Sequence, residues 1–292
     1  MNRSNRTIAL AAILATFASA YGCSSSSSSD GASPDGAQDG DAGTTGDDGG
    51  SGSEPAKEYT GEIEILPTGV SAYFIKTPPD GSCVTRSGNC TLTHCANDPD
   101  AGLPRYLAGG DITLKGGTTK SPIVLHYEPD GGAYRSSTFA TPIFEGGDTF
   151  EVSGAGSDSI ASFSGSSGIA PGAVHVTAPT GTGATTSLVY AFDTTEDLDV
   201  TWTGGVSGSK VQTFMTSAAD PDHPIYLSCV FDAESGTGTI PASLLAELGS
   251  PPSGKGQFEV IPTSQTVVEG DNVHVNVVLY DDIASYGSWT KK

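Results

Sequence analysis

Basic residues are scarce: 13 Lys and Arg stand against 34 Asp and Glu in 292 residues, a formal net charge of −21. With no basic cluster to offset that field, the chain repels phosphate backbones and anionic headgroups. This excludes nucleic acid as a partner and charge-driven docking on anionic lipid. Methionine and tryptophan occur twice each and histidine five times, whereas glycine reaches 39, a balance that suits a loop-rich β protein better than a helical one. No apolar run attains the ~20 residues that a membrane-spanning helix needs. Local catalytic signatures are missing as well. There is no Gly-x-Ser-x-Gly elbow, no His-Glu-x-x-His pair and no phosphate loop, and the glycine-rich GAGSDS at 154–159 is not followed by a helical pattern.

What is present begins at the N-terminus. Arg3 and Arg6 precede a 14-residue apolar stretch, Thr7 to Ala20, and Ala20-Tyr21-Gly22 leads into Cys23. That length fits a secretory apolar region, so residues 1–22 are expected to be a cleaved signal peptide. The arrangement resembles the bacterial lipoprotein signal, in which small residues precede a cysteine that receives a diacylglyceryl thioether and becomes the new N-terminus. Tyr21 departs from the small residue usual at its place. The resemblance implies lipidation at Cys23, a membrane partner through that anchor, and a location in the bacterial cell envelope. Ser24, in place of an aspartate, points to the outer membrane. One acyl chain holds a protein only marginally at a membrane, and two or more hold it stably.

Residues 24–57 are almost wholly Ser, Gly, Asp and Ala, which cannot bury enough apolar surface to offset the entropy of ordering them. Residues 23–57 therefore read as a lipidated cysteine on a disordered acidic tether. As a flexible coil it would reach on the order of 30 Å, and its aspartates would extend it further.

From Glu58 onward the chain carries ten basic and 27 acidic residues. Short alternating or β-branched runs, among them GEIEILP, SAYFIKTPPDG, DITLKGG, SPIVLHYEPDGG, SKVQTFMTS and IYLSCVFD, are separated by Gly, Pro and Asp. This spacing predicts an all-β protein, an antiparallel β-sandwich or two closely joined sandwiches, over regions 58–180 and 181–292. Near the C-terminus Val273, Val275, Val277 and Leu279 fall on one strand face. One short helix is predicted in TIPASLLAELG, with Pro241 in the first turn, Leu244, Leu245 and Leu248 as an apolar stripe and Gly249 as the C-terminal cap.

DLDVTWTGG (197–205) looks like an immunoglobulin- or fibronectin-like strand whose Trp202 points inward with Val200 and Leu198. Together with SCVFD and GTGTIPASLLAEL, it resembles predicted bacterial lipoproteins that carry an acidic Ser/Gly/Asp tether and an immunoglobulin-like sandwich body. The resemblance, over about residues 140–280, implies a fold and a cellular address and no activity.

Apart from Cys23, four cysteines remain, Cys83, Cys90, Cys95 and Cys229. An even count outside the cytoplasm predicts two disulfides: one local bridge among the first three and one long bridge to Cys229. A metal site of His94, Cys95 and Cys229 is the alternative. Calcium could be held by carboxylates in loops, with Asp193, Glu196, Asp197 and Asp199 the leading group, ahead of Asp98 with Asp100 and Asp220 with Asp222. No other cofactor is expected. The bland alternative is that these aspartates bond their own turns.

His126, His175 and His274 lie within strand patterns and are expected to serve the sheet rather than a triad. Exposed aromatics could form a glycan-binding face, either Tyr127, Tyr134, Phe139 and Phe144 or Tyr280, Tyr286 and Trp289, against a bland alternative of core packing. The resulting expectation is a non-catalytic, membrane-anchored body for binding or surface presentation, with a glycan or protein partner. A carbohydrate-binding or adhesive module is the narrower form of that expectation. A hydrolase with a site assembled by the fold is the competing one.

Overall fold

The computed structural model describes residues 57–77, 84–93, 106–184, 188–217, 225–251 and 256–292. The signal segment, Cys23, the tether up to residue 56, Cys83, His94, Cys95, Asp98, Asp100, Asp220 and Asp222 lie outside the described residues.

The expected all-β class holds, in the form of two joined sandwiches. Alternation along β1 (Tyr59–Leu66) buries Ile63 and Ile65 on one face and sends Glu62 and Glu64 to the other. A tight turn then returns the chain as β2 (Gly69–Lys76), with Leu66 opposite Gly69. β3 (Val84–Ser87) and β4 (Cys90–Thr93) form a hairpin. β5 (Ile112–Gly116), β6 (Ile123–Leu125), β7 (Tyr127–Glu128), β8 (Ala133–Arg135), β9 (Phe150–Gly154) and β10 (Phe163–Ser166) follow. β11 (Val174–Ala178), β12 (Leu188–Phe192), β13 (Leu198–Gly204), β14 (Lys210–Ser217), β15 (Ile225–Asp232) and β16 (Thr237–Ile240) lead into the helix α1 (Ala242–Leu248). The chain ends in β17 (Gly256–Glu269), β18 (Val273–Tyr280) and β19 (Ser285–Lys291).

One large sheet runs through the molecule in the order β3-β4-β15-β14-β17-β18-β1-β2-β8-β7, with β19 beside β17 and β12 beside β19. β17 joins its two parts. Residues 256–260 pair with β19 and residues 263–269 with β18, so a single 14-residue strand serves both. Between β18 and β19 the pairing on β17 advances from Tyr280↔Thr263 to Ser285↔Val260, a two-residue excess that forms a bulge. Pairing is antiparallel except for β1 with β18 and β12 with β19.

Two smaller sheets cover the same face of the large one. The sheet β10-β9-β5-β6 closes a core of Ile63, Ile65, Phe74, Leu114, Phe150, Val273, Val275, Val277 and Leu279. The sheet β11-β13-β16 and α1 close a second core around Trp202, Met215, Leu245, Phe258 and Trp289. Each core draws on both sides of residue 180: β17 and β18 supply the first with Val268 to Leu279, and β4 supplies the second with Cys90 and Leu92.

The helix follows its sequence signals, with Pro241 at the N-cap and Leu244, Leu245 and Leu248 buried. Trp202 points inward as its strand pattern predicts, and its indole N–H donates to Ala233 O at 2.7 Å. Cys90 and Cys229, directly opposite on β4 and β15, form a buried disulfide between residues 139 apart in sequence. In the chain-entropy account, a cross-link of that span removes about 5 kcal/mol of denatured-state freedom.

The C-terminal SYGSWTK is a strand whose alternation buries Gly287 and Trp289 against β17 while Tyr286 and Ser288 face away. Trp289 is fully buried, packs on Phe192 at 6.0 Å, and donates its N–H to Thr216 O at 2.8 Å.

Candidate functional site

Most of the residues singled out from sequence are committed to structure. Tyr134 and Phe144 are buried in the first core, with Tyr127 and Phe139 packed against it, so these four do not form an exposed aromatic face. Burying a large ring with a satisfied hydroxyl favours this arrangement: Tyr134 Oη accepts the Gly109 N–H at 2.6 Å. Trp289 is in the second core and Tyr280 is buried, which leaves only Tyr286 of the second group partly exposed.

Of the carboxylates proposed for calcium, Asp193, Asp197 and Asp199 take separate partners. Asp193 accepts from the Thr195 backbone and hydroxyl at 2.9 and 2.6 Å, bonds that hold its carboxyl below the usual range. Asp197 accepts the Ala242 N–H at 2.8 Å at the start of α1, and Asp199 accepts the Thr239 hydroxyl at 2.7 Å. Among the described residues no group of three or more His, Cys, Asp or Glu is placed to hold a metal ion. His126 pairs with Asp111 at 2.8 Å and His274 with Glu269 at 2.6 Å, both at the surface. Among the described residues neither ring bonds a serine or threonine hydroxyl. No helix among them is long and apolar enough to cross a membrane.

The chemically distinctive groups lie on the large sheet's other face, over the first core. Strand register sets them in two rows. Arg135, Ser71 and Glu64 are neighbours across β8, β2 and β1, and Tyr73, Glu62 and Asn276 across β2, β1 and β18. Alternation put the two glutamates on this face, but it is not a solvated one: Glu62 and Asn276 are buried and Glu64 is half-buried.

Burial raises the Glu62 carboxyl pKa, and the neighbouring Glu64 anion, hydrogen-bonded to it, raises it further. Burial also raises Glu64, against the pull of the Ser71 hydroxyl, which donates to Glu64 Oε2 at 2.8 Å. Each carboxyl therefore favours its protonated form more than an ordinary glutamate does. Tyr73 Oη, shielded from solvent, faces Glu62 without a well-aligned hydrogen bond, and burial raises its phenol.

Beside this cluster opens a cleft of about 420 Å³. Glu64, Ser71, Tyr73, Tyr106, Arg135 and Thr138 are among the side chains that line it. Tyr106 is fixed from several sides. The next residue, Leu107, donates its N–H to Phe74 O at 2.9 Å, and the Tyr127 hydroxyl donates to Tyr106 O at 3.3 Å. The ring meets Tyr73 edge-on at 5.8 Å and lies against Gly132, where a Cβ would stand 2.8 Å from it. Gly132 also has φ +63°, so a glycine is needed there twice over. Tyr106 nevertheless keeps 39% of its surface exposed, and Arg135 is exposed with no ion pair among the described residues.

Sequence reasoning missed this site. The alternation of GEIEILP does place Glu62 and Glu64 on one face, but only the register with β2 and the remote β18 sets Tyr73 and Asn276 on either side of Glu62, which is buried. Glu259 was missed for the same reason. It lies on the same outer face of the second part, fully buried between Phe214 and Tyr286 in register, and desolvation raises its carboxyl to about 7.

No protein-family model matches the chain, and no curated protein does. Among solved structures, the chain is similar to the crystal structure of chicken CNTN1 FN1-FN3 domains at 10% identity, over 79% of this chain and 67% of that one, with a TM-score of 0.17. A likeness of that size carries no argument about this chain.

Proposed function

We propose that this protein is a lipid-anchored body of the bacterial cell envelope that binds a partner without transforming it. The observation that carries the reading is polarity along β1. At its start, Lys57 Nζ donates to Gly270 O and Asp271 O at 3.2 and 3.3 Å, so the acidic segment joins the body beside the β17–β18 turn. At about 3.3 Å per residue, β1 carries the chain some 25 Å to Leu66. The cleft runs from that far turn along β2 to Tyr73 and Tyr106. A tether fixed at Cys23 would therefore present the cleft away from the lipid.

Two further features support the address. The basic, apolar and cysteine segments of residues 3–23 follow the order of a lipoprotein signal. The buried Cys90–Cys229 bridge suits an oxidising compartment.

Membrane fractionation of the Cys23→Ser full chain tests the anchor. The variant should fold and either leave the carbonate-washed membrane pellet or accumulate as unprocessed precursor. Processed Cys23→Ser protein that still pellets with washed membranes would overturn it.

A further inference from the structure

We propose that the cleft between the Leu66–Gly69 turn and β8 binds a neutral hexose oligosaccharide, stacked on Tyr106 and held by Arg135 and Glu64; this rests on the binding reading above and gives it a ligand class. A hexose offers a patch of C–H groups on one side and a ring of hydroxyls at its edge. The cleft supplies a counterpart to each. Tyr106 is an exposed aromatic ring that its neighbours prevent from collapsing into the core.

The Arg135 guanidinium carries five donors and has no carboxylate partner among the described residues. Glu64 is an acceptor already oriented by Ser71. Strand register sets Arg135 and Glu64 two strands apart, roughly 10 Å between their Cα atoms, which leaves room for a sugar ring with a hydrogen bond at each side. The hydroxyls of Thr68, Ser136 and Thr138 rim the same space. A volume of about 420 Å³ falls in the range of small-ligand sites.

Charge selects a neutral ligand. The body is strongly acidic and Glu64 lines the cleft, which disfavours an anion. Arg135 on the opposite wall disfavours a cation. The geometry suits holding rather than cleaving: of the two glutamates only Glu64 lines the cleft, whereas glycosidic hydrolysis needs two carboxyls flanking the bond.

The test is calorimetric titration of the purified full chain with hexamers of α-glucan, β-glucan, mannan and galactan, and with a galacturonate hexamer as the anionic comparator. At least one neutral hexamer should bind. Tyr106→Ala and Arg135→Gln, both at exposed positions, should each weaken that binding at least tenfold with the fold intact, while Tyr286→Ala in the other part should leave it unchanged. The proposal is overturned if no neutral hexamer binds, if only the galacturonate binds, or if binding survives both cleft substitutions within twofold. Failure here would leave the anchor standing, because the Cys23→Ser fractionation tests that separately.

Discussion

The two parts of the large sheet share one strand, β17, and the same alternation, yet they treat the face turned away from the cores differently. Over the second core that face seals its carboxyl, although the Tyr286 ring beside it stays partly exposed. Phe214 stacks on Tyr226 at 5.9 Å, Glu259 is sealed beside it, and a buried disulfide ties β4 to β15 on the inner side. Over the first core it opens into a cleft, with the half-buried Glu64 carboxyl, an exposed ring and a guanidinium. No disulfide joins the described residues of the first part. One part carries a buried cross-link and the other an open cleft, and the continuity of β17 joins the two.

The largest expected effect comes from breaking the stapled part. Replacing Cys90 and Cys229 together by alanine should lower the unfolding free energy of the full chain by about 2 to 5 kcal/mol, read from urea denaturation. A loss below about 1 kcal/mol would mean that the bridge does not carry the second core.

Next in size is a pH effect at Glu259. Its folded carboxyl sits near 7 against an ordinary 4.5, so folding favours the acid form. The stability that this favours is complete below about 4.5 and is lost as pH rises through about 7. Glu62 and Glu64 act in the same direction. The wild-type unfolding midpoint should therefore fall between pH 5 and 8, and Glu259→Gln should fall less steeply. Parallel profiles would show that Glu259 is not desolvated as described.

The smallest effect sharpens the contrast from the other side. Tyr106→Ala in the open cleft should change stability by less than about 1 kcal/mol, as surface substitutions do. A larger loss, measured by thermal unfolding, would make the ring a packing element instead of a contact surface.

Much of this architecture was legible in local pattern. Val273, Val275, Val277 and Leu279 alternate cleanly and all four are fully buried in the first core. Pro241, the leucine stripe and Gly249 marked the helix, and Val200 with Trp202 marked an inward face. What was illegible depends on distant partners. Nothing near Trp289 in sequence shows that Gly256 leaves room for its indole, where a Cβ would stand 2.6 Å from Nε1. Nothing near Tyr134 shows that its hydroxyl is taken by Gly109. Glu62 and Glu64 look like ordinary outward strand residues until β18 pairs beside them, so the groups that matter most to the cleft gave no local signal. The long bridge to Cys229 was foreseeable from cysteine parity, but the choice of Cys90 came from the register of β4 on β15.

Intact-mass analysis of the unreduced protein extracted from its native membrane tests the central claim most directly. The account predicts a mature chain that begins at Cys23, carries a diacylglyceryl group, and lacks four hydrogens for two disulfides, Cys90–Cys229 and a second between Cys83 and Cys95. An unmodified chain that begins at Tyr21 or Gly22 would contradict the anchor and, with it, the reading of the cleft as a surface held away from a membrane.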